Sequence, residues 1–262
     1  MGEPPYLFSH TTEAFERERL GVREQLFDRQ SQRYLTALGL QPGWRCLEVG
    51  AGQGSMARWL AEQVGPQGWV VATDIAPRLL TDIPFPNIEV RQHDICTDPL
   101  EPATYHLVHC RAVLIHLTDP QLAVRHMMEA VQIGGWLMIE EPDLSSLRAV
   151  DATHPRAVAF DHHYHELWTC IAQAKVADPY LGRRLYSLLE HTGLTAIASE
   201  GVSRIVPGGG MEARRNCLAL QVFMERGLLT PPAYATLQST LLDPSFRFST
   251  ETSFTAWGQR TR

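Results

Sequence analysis

The chain has 262 residues, 44% of them hydrophobic and 20% charged, and its formal net charge is −6 at pH 7. This composition is typical of a globular protein that is large enough to bury one substantial core. The acidic balance argues against a nucleic-acid partner, because such partners require a basic face.

No apolar stretch reaches the length of a membrane-spanning helix, and residues 1–5 lack the basic start of a signal peptide. We therefore expect no membrane partner. The five cysteines are odd in number and form no C-x-x-C pair, which favours reduced thiols and a cytoplasmic location. No motif specifies the oligomeric state, and a homo-oligomer is compatible with the sequence.

Apolar spacing predicts a helix over residues 10–38, a short buried strand at 44–49 and a second helix from 56 to 64. Gly50, Gly52 and Gly54 lie between the strand and the second helix. Glycine permits positive φ and removes the Cβ atoms that would keep a ligand away from the backbone, so the turn predicts a nucleoside site. The dinucleotide fingerprint G-x-G-x-x-G would need a glycine at Ser55, which argues against NAD.

Four more strands are predicted over residues 69–74, 88–95, 105–111 and 134–141. Open α/β sheets bind ligands at the carboxyl ends of their strands. Asp74 lies at such an end and can accept hydrogen bonds from both ribose hydroxyls, while Asp94 can accept one from an adenine amino group. The alternatives are that Asp74 caps the segment after it and that Asp94 is an ordinary loop residue.

Together these segments resemble the class I S-adenosylmethionine-dependent methyltransferases of the small-molecule, natural-product type, over about residues 33–143. The resemblance implies an α/β fold with a Rossmann-like, seven-stranded, mostly parallel sheet, helices on both faces and helical lid insertions. It implies S-adenosylmethionine as the cofactor and S-adenosylhomocysteine as its product. By that likeness, residues 48–55 hold the methionine end, Asp74 the ribose and residues 93–95 the adenine. The predicted cofactor-binding residues are Glu48, Gly50, Ala51, Gly52, Gly54, Ser55, Asp74, Ile75, His93, Asp94, Ile95, Arg111 and His116.

Three units are predicted along the chain: an N-terminal helical lid (1–40), a cofactor-binding core (41–143), and helical cap inserts with the last two strands of the sheet (144–262). For the first unit two interpretations stay open. It packs on the sheet edge, or it closes over the cofactor together with Tyr6 and Phe8. In the third unit we predict helices within residues 151–178, 181–191 and 211–242, and strands over 194–206 and 246–257.

The resemblance further implies transfer of a methyl group to an oxygen, nitrogen or carbon atom of a small organic acceptor, such as a secondary metabolite. One alternative is an enzyme that binds S-adenosylmethionine without transferring methyl, as a cyclase or pericyclase, because one fold hosts many functions. Another is a nucleotide-dependent oxidoreductase or a non-catalytic binding module, and Ser55 argues against the oxidoreductase form.

Candidate bases lie at and beyond the end of the predicted core. We predict catalytic roles for Glu141, at the exit of the fifth strand, and for His162 and His165, which share a helix face with Glu166. The alternatives for that face are a solvated surface and a metal site, and we predict no metal. Two arginine pairs, at 183–184 and 214–215, either bind an anionic group or are solvated.

Overall fold

The computed structural model describes residues 6–80 and 84–262. Residues 1–5 lie outside the described residues. The expected lack of a signal peptide and the start of the predicted lid both depend on them. The strands of the described part are β1 (Arg45–Val49), β2 (Trp69–Asp74), β3 (Ile88–Gln92), β4 (Tyr105–Arg111), β5 (Val131–Asp143), β6 (Arg148–Ala149), β7 (Thr195–Val202), β8 (Ile205–Pro207), β9 (Arg247–Ser249) and β10 (Thr252–Gln259).

The same part of the chain contains α-helices and shorter 3-10 helices. The α-helices are α1 (Glu13–Ala37), α2 (Ser55–Val64), α3 (Pro120–Ala130), α4 (Ala157–Gln173), α5 (Leu185–Glu190), α6 (Met211–Glu225) and α7 (Pro231–Leu241). The 3-10 helices are Pro77–Leu79, Leu114–His116, Leu144–Ser146 and Gly182–Arg184. Among the described residues, no helix combines the length and the apolar character needed to cross a membrane.

Seven of the strands form one sheet in the order β3-β2-β1-β4-β5-β10-β7. Strands β1 to β5 pair in parallel, whereas β10 runs antiparallel to both of its neighbours, β5 and β7. The predicted fold class, a seven-stranded and mostly parallel sheet with helices on both faces, is confirmed.

Alternating side chains of the strands build two apolar layers. On one face, Cys46 of β1 packs with Leu60 of α2 and Leu35 of α1. On the other face, Leu47 packs with residues of α3 and α5, among them Met127. The parallel arrangement thereby buries both faces of the central strands, which is typical of α/β proteins.

A second unit, which we call the cap, consists of α4, α6, α7 and a small antiparallel sheet in the order β6-β9-β8. It has its own apolar core, which includes the fully buried side chains of Phe160, Phe246, Phe248 and Leu237. The cap is inserted at two places, after β5 and between β8 and β9, so it lies beyond the carboxyl ends of the parallel strands.

Both late strands that the sequence predicts as continuous are divided in the structure. The segment 194–206 becomes β7 and β8, and the segment 246–257 becomes β9 and β10, so these two predictions were too simple. At the division, the Thr250 amide donates to the Arg204 carbonyl at 2.8 Å, and the Arg204 amide donates to Thr250 Oγ1 at 3.0 Å. The antiparallel hairpin therefore continues from the main sheet into the cap, where β8 and β9 pair.

The predicted helix over 211–242 is also two helices. Gly227, with a φ of 71°, follows the end of α6, and Thr230 caps α7, which begins with Pro231. A glycine after one helix and a proline at the first position of the next are common boundary signals. The helix predicted within 151–178 is confirmed over the narrower range of α4.

Gly208 closes the second cap insert, and we expect its replacement by alanine to destabilise the fold. A Cβ at this position would lie 2.1 Å from the Asp243 carbonyl oxygen, a backbone atom that cannot move aside freely. Overpacking of this kind costs about 1–3 kcal/mol, so thermal unfolding of Gly208→Ala should show a Tm lowered by several degrees.

Gly21→Ala is the matched control for that substitution. A Cβ on Gly21, inside α1, would lie 3.7 Å from the Gln53 side chain, an ordinary contact. Because alanine is the better helix former by about 1 kcal/mol, this variant should unfold at a higher temperature than the wild type. Equal Tm values for the two variants would contradict the packing described here.

Candidate functional site

The turn after β1 is built from three glycines with positive φ, 71° at Gly50, 59° at Gly52 and 81° at Gly54. A Cβ on Gly50 would lie 2.2 Å from a methyl carbon of Val113, so the close approach requires glycine. The Gly50 amide donates to the Thr73 carbonyl at 2.8 Å, which fastens the turn to the end of β2. The result is a fixed backbone surface that a ligand can approach closely.

Asp74 closes this turn from the side of β2. Its Oδ2 accepts from the Gly52 amide at 3.0 Å and its Oδ1 accepts from the Ala76 amide at 2.9 Å. The carboxylate therefore caps the segment after it, and its remaining lone pairs can still accept hydrogen bonds. Next to it, Ile75 has 55% of its surface exposed, which leaves an apolar side chain available beside the turn.

The segment predicted to bind adenine follows β3 and is joined to Asp74, whose carbonyl accepts from the His93 amide at 3.0 Å. Within the described chain, both ring nitrogens of His93 are buried without a hydrogen-bond partner. Such groups are usually paired, so the His93 ring is an unsatisfied polar group within the segment predicted to bind adenine. Asp94 accepts from the Cys96 amide at 2.9 Å, and Ile95 is buried in the sheet core.

A pocket lies over the glycines, between the turn and α1, and we call it the glycine-turn pocket. Six of the predicted cofactor-binding residues line it, namely Glu48, Gly50, Ala51, Gly52, Ser55 and Arg111. From α1 the lining includes Leu20, Arg23 and Glu24. Gly54 lies at the same turn as the N-cap of α2. The structure thus brings together most of the set around the turn, with Asp74 hydrogen-bonded to it.

A buried ionic network lies at the base of this pocket. The His109 side chain, on β4, is fully buried, with Nδ1 2.6 Å from Glu48 Oε2 and Nε2 2.9 Å from Glu140 Oε1. Thr255 of β10 donates to the other Glu140 oxygen at 3.2 Å. Burial lowers the pKa of His109, but the two carboxylates outweigh this effect and raise it to about 9. His109 is therefore an imidazolium that donates to both acids, and one Glu48 oxygen is committed to it.

Arg111, at the end of β4, joins the sheet to α1. Its guanidinium donates to Ser31 Oγ at 2.8 Å and to Asp28 Oδ1 at 2.7 Å. Both partners belong to α1, so this arginine holds the helix against the site. The side chain lines the glycine-turn pocket and also a second cavity beside it.

This second cavity, which we call the cap cavity, lies between the core and the cap. It encloses about 1000 Å³ of empty space, including its open mouth. Its wall is mostly apolar and aromatic, with Phe8, Phe27, Tyr164, Trp168, Leu220 and Phe223 among the lining residues. Arg23 and Arg111 line both this cavity and the glycine-turn pocket, so the two spaces adjoin.

Glu141 and His116 lie on the core side of the cap cavity. The Glu141 carboxylate accepts from the amides of Val113 at 2.8 Å and Leu114 at 2.7 Å, and more weakly from Ile115 at 3.4 Å. Burial raises the pKa of Glu141 to about 8, although these backbone donors oppose the rise. Glu141 therefore holds the short helix that carries His116.

His116 contacts Tyr6 edge to face, with 5.0 Å between the ring centres. Burial, and then the positive charge of Arg19, lower the pKa of His116 to about 3, so its ring is neutral at pH 7. The sequence predicts His116 at the cofactor; the structure instead places it in the wall of the cap cavity and outside the glycine-turn pocket.

The predicted catalytic histidines need a correction. His162 and His165 lie on the exposed face of α4, outside the cap cavity, because the opposite face carries the apolar residues that pack inward, such as Tyr164 and Trp168. We therefore do not retain His162 and His165 as candidate bases. On this face, three side chains place a metal-ligating atom within 4.8 Å of one another: His162, His163 and Glu166. His165 is not one of them.

Sequence reasoning missed the charged residues that α1 and the cap bring to the site. Arg19 and Arg23 of α1 line the cap cavity, as does Glu251 from the cap side; Arg215 of α6, which the sequence did offer as an anion site, lines it too. The one local signal was the spacing of Arg19, Arg23 and Phe27, which places them on one helix face. His109 was missed because an imidazole inside a buried strand has no sequence pattern that distinguishes it from an ordinary core residue.

Comparison with known proteins agrees with this geometry. A family model described as a methyltransferase domain matches residues 22–199. The chain is 27% identical to methyltransferase str3 of Strobilurus tenacellus over 72% of its own length and 65% of that protein. It spans between about a third and two thirds of the length of three curated relatives that it matches.

Two solved structures illustrate the similarity of fold. A phosphoethanolamine N-methyltransferase of Haemonchus contortus, in complex with S-adenosyl-L-methionine, aligns over 97% of this chain and 60% of its own, with a TM-score of 0.58 and 17% identity. The [4+2]-cyclase SpnF aligns over 89% of this chain and 81% of its own, with a TM-score of 0.51 and 16% identity. At these identities the likeness shows the fold alone.

The imidazolium network predicts a specific pH dependence of stability. Because the folded pKa of His109, about 9, exceeds the unfolded value of about 6.5, its contribution is complete below about pH 6.5 and is lost as the pH rises through about 9. His109→Gln leaves two buried carboxylates without a cation and should lower the free energy of unfolding by about 3–5 kcal/mol at pH 6.5.

Denaturant unfolding at pH 6.5, 8 and 9.5 measures both effects. The gap between wild type and His109→Gln should shrink as the pH rises, while the control His165→Gln, at an exposed position, should follow the wild type throughout. A gap that stays constant with pH would show that His109 is not charged in the folded protein.

Asp74→Ala tests the predicted ribose contact. The substitution removes the acceptor for Gly52 and for the ribose, and hydrogen bonds to a charged group contribute about 1.5–3 kcal/mol. Calorimetric affinity for S-adenosylhomocysteine should fall about tenfold or more, with the circular dichroism spectrum unchanged. Asp151→Ala, at an exposed position, serves as control. If the two variants bound S-adenosylhomocysteine with equal affinity, the assignment of Asp74 to the ribose would be wrong.

Proposed function

The chain belongs to the S-adenosylmethionine-dependent methyltransferase family, and we propose that it methylates an oxygen, nitrogen or carbon atom of a small, largely apolar acceptor. The observation that carries this proposal is the cap cavity. It adjoins the glycine-turn pocket through Arg23 and Arg111, and its apolar and aromatic wall suits a small organic molecule. A secondary metabolite is the acceptor class that we propose.

The residues around the glycine turn fit the cofactor. The positive φ of Gly50 and Gly52 opens the backbone to the methionine end, and Asp74 offers lone pairs to the ribose. The unpartnered ring of His93 suits a polar group of the adenine. When bound, S-adenosylmethionine supplies an electrophilic methyl group and becomes S-adenosylhomocysteine.

On the acceptor side, the protein mainly aligns the reacting atoms and excludes water. Alignment alone can lower the activation barrier by about 7–11 kcal/mol. This effect is larger than that of a general base, which typically raises the rate by a factor of 10²–10⁴. Of the three side chains predicted as catalytic, Glu141 lines the cap cavity. We propose that in its ionised form, which predominates only above about pH 8, Glu141 uses Oε2, whose contact with the Ile115 amide is long at 3.4 Å, to accept a proton from an acceptor that must lose one.

We also propose that the N-terminal unit, residues 1–40, acts as a lid over a core of residues 41–143, with residues 144–262 supplying the cap. In support, α1 contributes Leu20 and Glu24 to the glycine-turn pocket and Arg19 and Phe27 to the cap cavity. Leu7 and Phe8 also line the cap cavity. Movement of this one segment would therefore open both spaces together.

A second candidate is a catalyst that binds S-adenosylmethionine without transferring its methyl group. The similarity in fold to a [4+2]-cyclase favours keeping it, since such a reaction uses the cavity and leaves the cofactor intact. The two candidates differ in whether S-adenosylhomocysteine forms in proportion to product.

The test begins with calorimetric titration of S-adenosylhomocysteine, with NAD as a parallel control. We expect saturable binding of the first and none of NAD. The protein is then incubated with S-adenosylmethionine and a panel of small phenols, amines and enolisable carbonyl compounds, and S-adenosylhomocysteine is measured by mass spectrometry. Acceptor-dependent formation supports methyl transfer; consumption of an acceptor without it supports the second candidate. Binding of NAD alone would refute both.

Ala219→Phe tests the place of the acceptor. Ala219 of α6 lines the cap cavity, so a phenyl ring there should occupy space that the acceptor needs. We expect the affinity for S-adenosylhomocysteine to stay within about twofold while kcat/KM for an acceptor found in the panel falls at least about tenfold, roughly 1.4 kcal/mol. Ala235→Phe, at an exposed position of α7, is the control. Unchanged kcat/KM in Ala219→Phe would place the acceptor elsewhere.

A further inference from the structure

Four arginines line the cap cavity, and three of them are neutralised by carboxylates. Arg19 lies 2.6 Å from Glu16, and Arg111 lies 2.7 Å from Asp28. Arg215 pairs with Glu251 and also, at 3.2 Å, with Glu212. The fourth is Arg23.

Arg23 differs from the other three because it has no anionic partner among the residues that the structure describes. No carboxylate of residues 6–80 or 84–262 lies within 4.0 Å of its guanidinium nitrogens. Its guanidinium carbon lies 6.0 Å from the centre of the Phe27 ring. The side chain is half-buried. Burial lowers the pKa of Arg23 to about 10, and the nearby charge of Arg19 adds to the effect, so the group is still a cation at neutral pH.

A cation in this setting lowers the stability of the folded chain. Buried charges are normally paired, and like charges nearby raise their free energy. Three of the four arginines that the sequence offered for anion binding are paired at the surface: Arg183 with Asp143, Arg184 with Asp178 and Arg214 with Glu18. The fourth, Arg215, is paired with Glu251 and Glu212. Arg23 is thus the cation at the site whose charge is left for a ligand.

We infer that Arg23 binds a ligand carboxylate at the junction of the glycine-turn pocket and the cap cavity. A guanidinium presents paired donors that match a carboxylate in a bidentate geometry. The inference rests on the proposed function, because the ligand is one of the two reactants of that site.

Two ligands can bring a carboxylate to this junction. One is the methionine part of the cofactor, because Arg23 lines the pocket over Gly50 and Gly52. The other is an acidic acceptor, because Arg23 also lines the cap cavity. The chemistry at the guanidinium is the same, and binding experiments separate the two sources.

The first arm compares S-adenosylhomocysteine with 5′-methylthioadenosine, which keeps the adenosine and the sulfur but lacks the amino acid carboxylate. Both are titrated by calorimetry into the wild type, Arg23→Met, Arg23→Lys and the control Arg29→Met. Arg29 is exposed on the same helix. The second arm titrates benzoate, an aromatic carboxylate, into each protein saturated with S-adenosylhomocysteine.

If the carboxylate belongs to the cofactor, Arg23→Met should bind S-adenosylhomocysteine about 10–100-fold more weakly and 5′-methylthioadenosine as well as the wild type does. Arg23→Lys should recover part of the loss. If the carboxylate belongs to the acceptor, both nucleosides should bind unchanged, and the benzoate site of the wild type should be lost in Arg23→Met.

Equal loss of both nucleosides in Arg23→Met would overturn the inference, and so would unchanged nucleoside binding without a benzoate site that depends on Arg23. A wild type that binds no S-adenosylhomocysteine would instead refute the proposed function, so the two failures are distinguishable. Thermal unfolding without ligand gives a further readout. Removal of an unpaired cation should leave the Tm of Arg23→Met equal to or above that of the wild type, whereas a merely structural arginine would lower it.

Discussion

The site depends on one buried imidazolium. His109 lies between Glu48 and Glu140, and Thr255 adds a hydrogen bond to the second acid, so four adjacent strands are joined at one level. Removing His109 takes away the cation that both buried carboxylates share, which is costly, and these contacts fix the relative heights of the strands. The glycine turn begins two residues after Glu48, Arg111 follows two residues after His109, and Glu141 follows Glu140. The network therefore sets where each site residue leaves the sheet.

The parts of the fold that sequence alone could predict are those that depend on local chemistry. The turn at Gly50 needs positive φ whatever surrounds it, and the central strands are short apolar runs bounded by turns. The hairpin 194–257 was predicted less well, because its division at Arg204 and Thr250 arises from hydrogen bonds between segments 46 residues apart. No local sequence pattern indicates the residue at which an antiparallel strand pair passes from one sheet into another.

The cap side of the site was predicted least well for a related reason. Helical periodicity identified α4, but the rotation of a helix is decided by which face finds an apolar partner. Phe160, Tyr164 and Trp168 pack with the cap core, and this places His162 in solvent. Likewise, Arg23 in the sequence resembles any solvated charge of a polar helix. Its burial follows from α1 packing against both α2 and α6, a tertiary arrangement that residues 13–37 alone do not encode.

The two halves of the site are thus held by different kinds of interaction. Around the glycine turn the groups that face the ligand are largely backbone, tied together by Asp74 and the ionic network, and they tolerate little change. The cap cavity is walled on its cap side by side chains of inserted helices, whose apolar contacts accept substitution more readily. Because α1 borders both halves and carries the unpaired Arg23, an anion bound at the junction would reduce the repulsion among the surrounding guanidinium groups. If α1 moves as the proposed lid, its closure and the binding of the anion would favour each other, because coupling between two such equilibria is reciprocal.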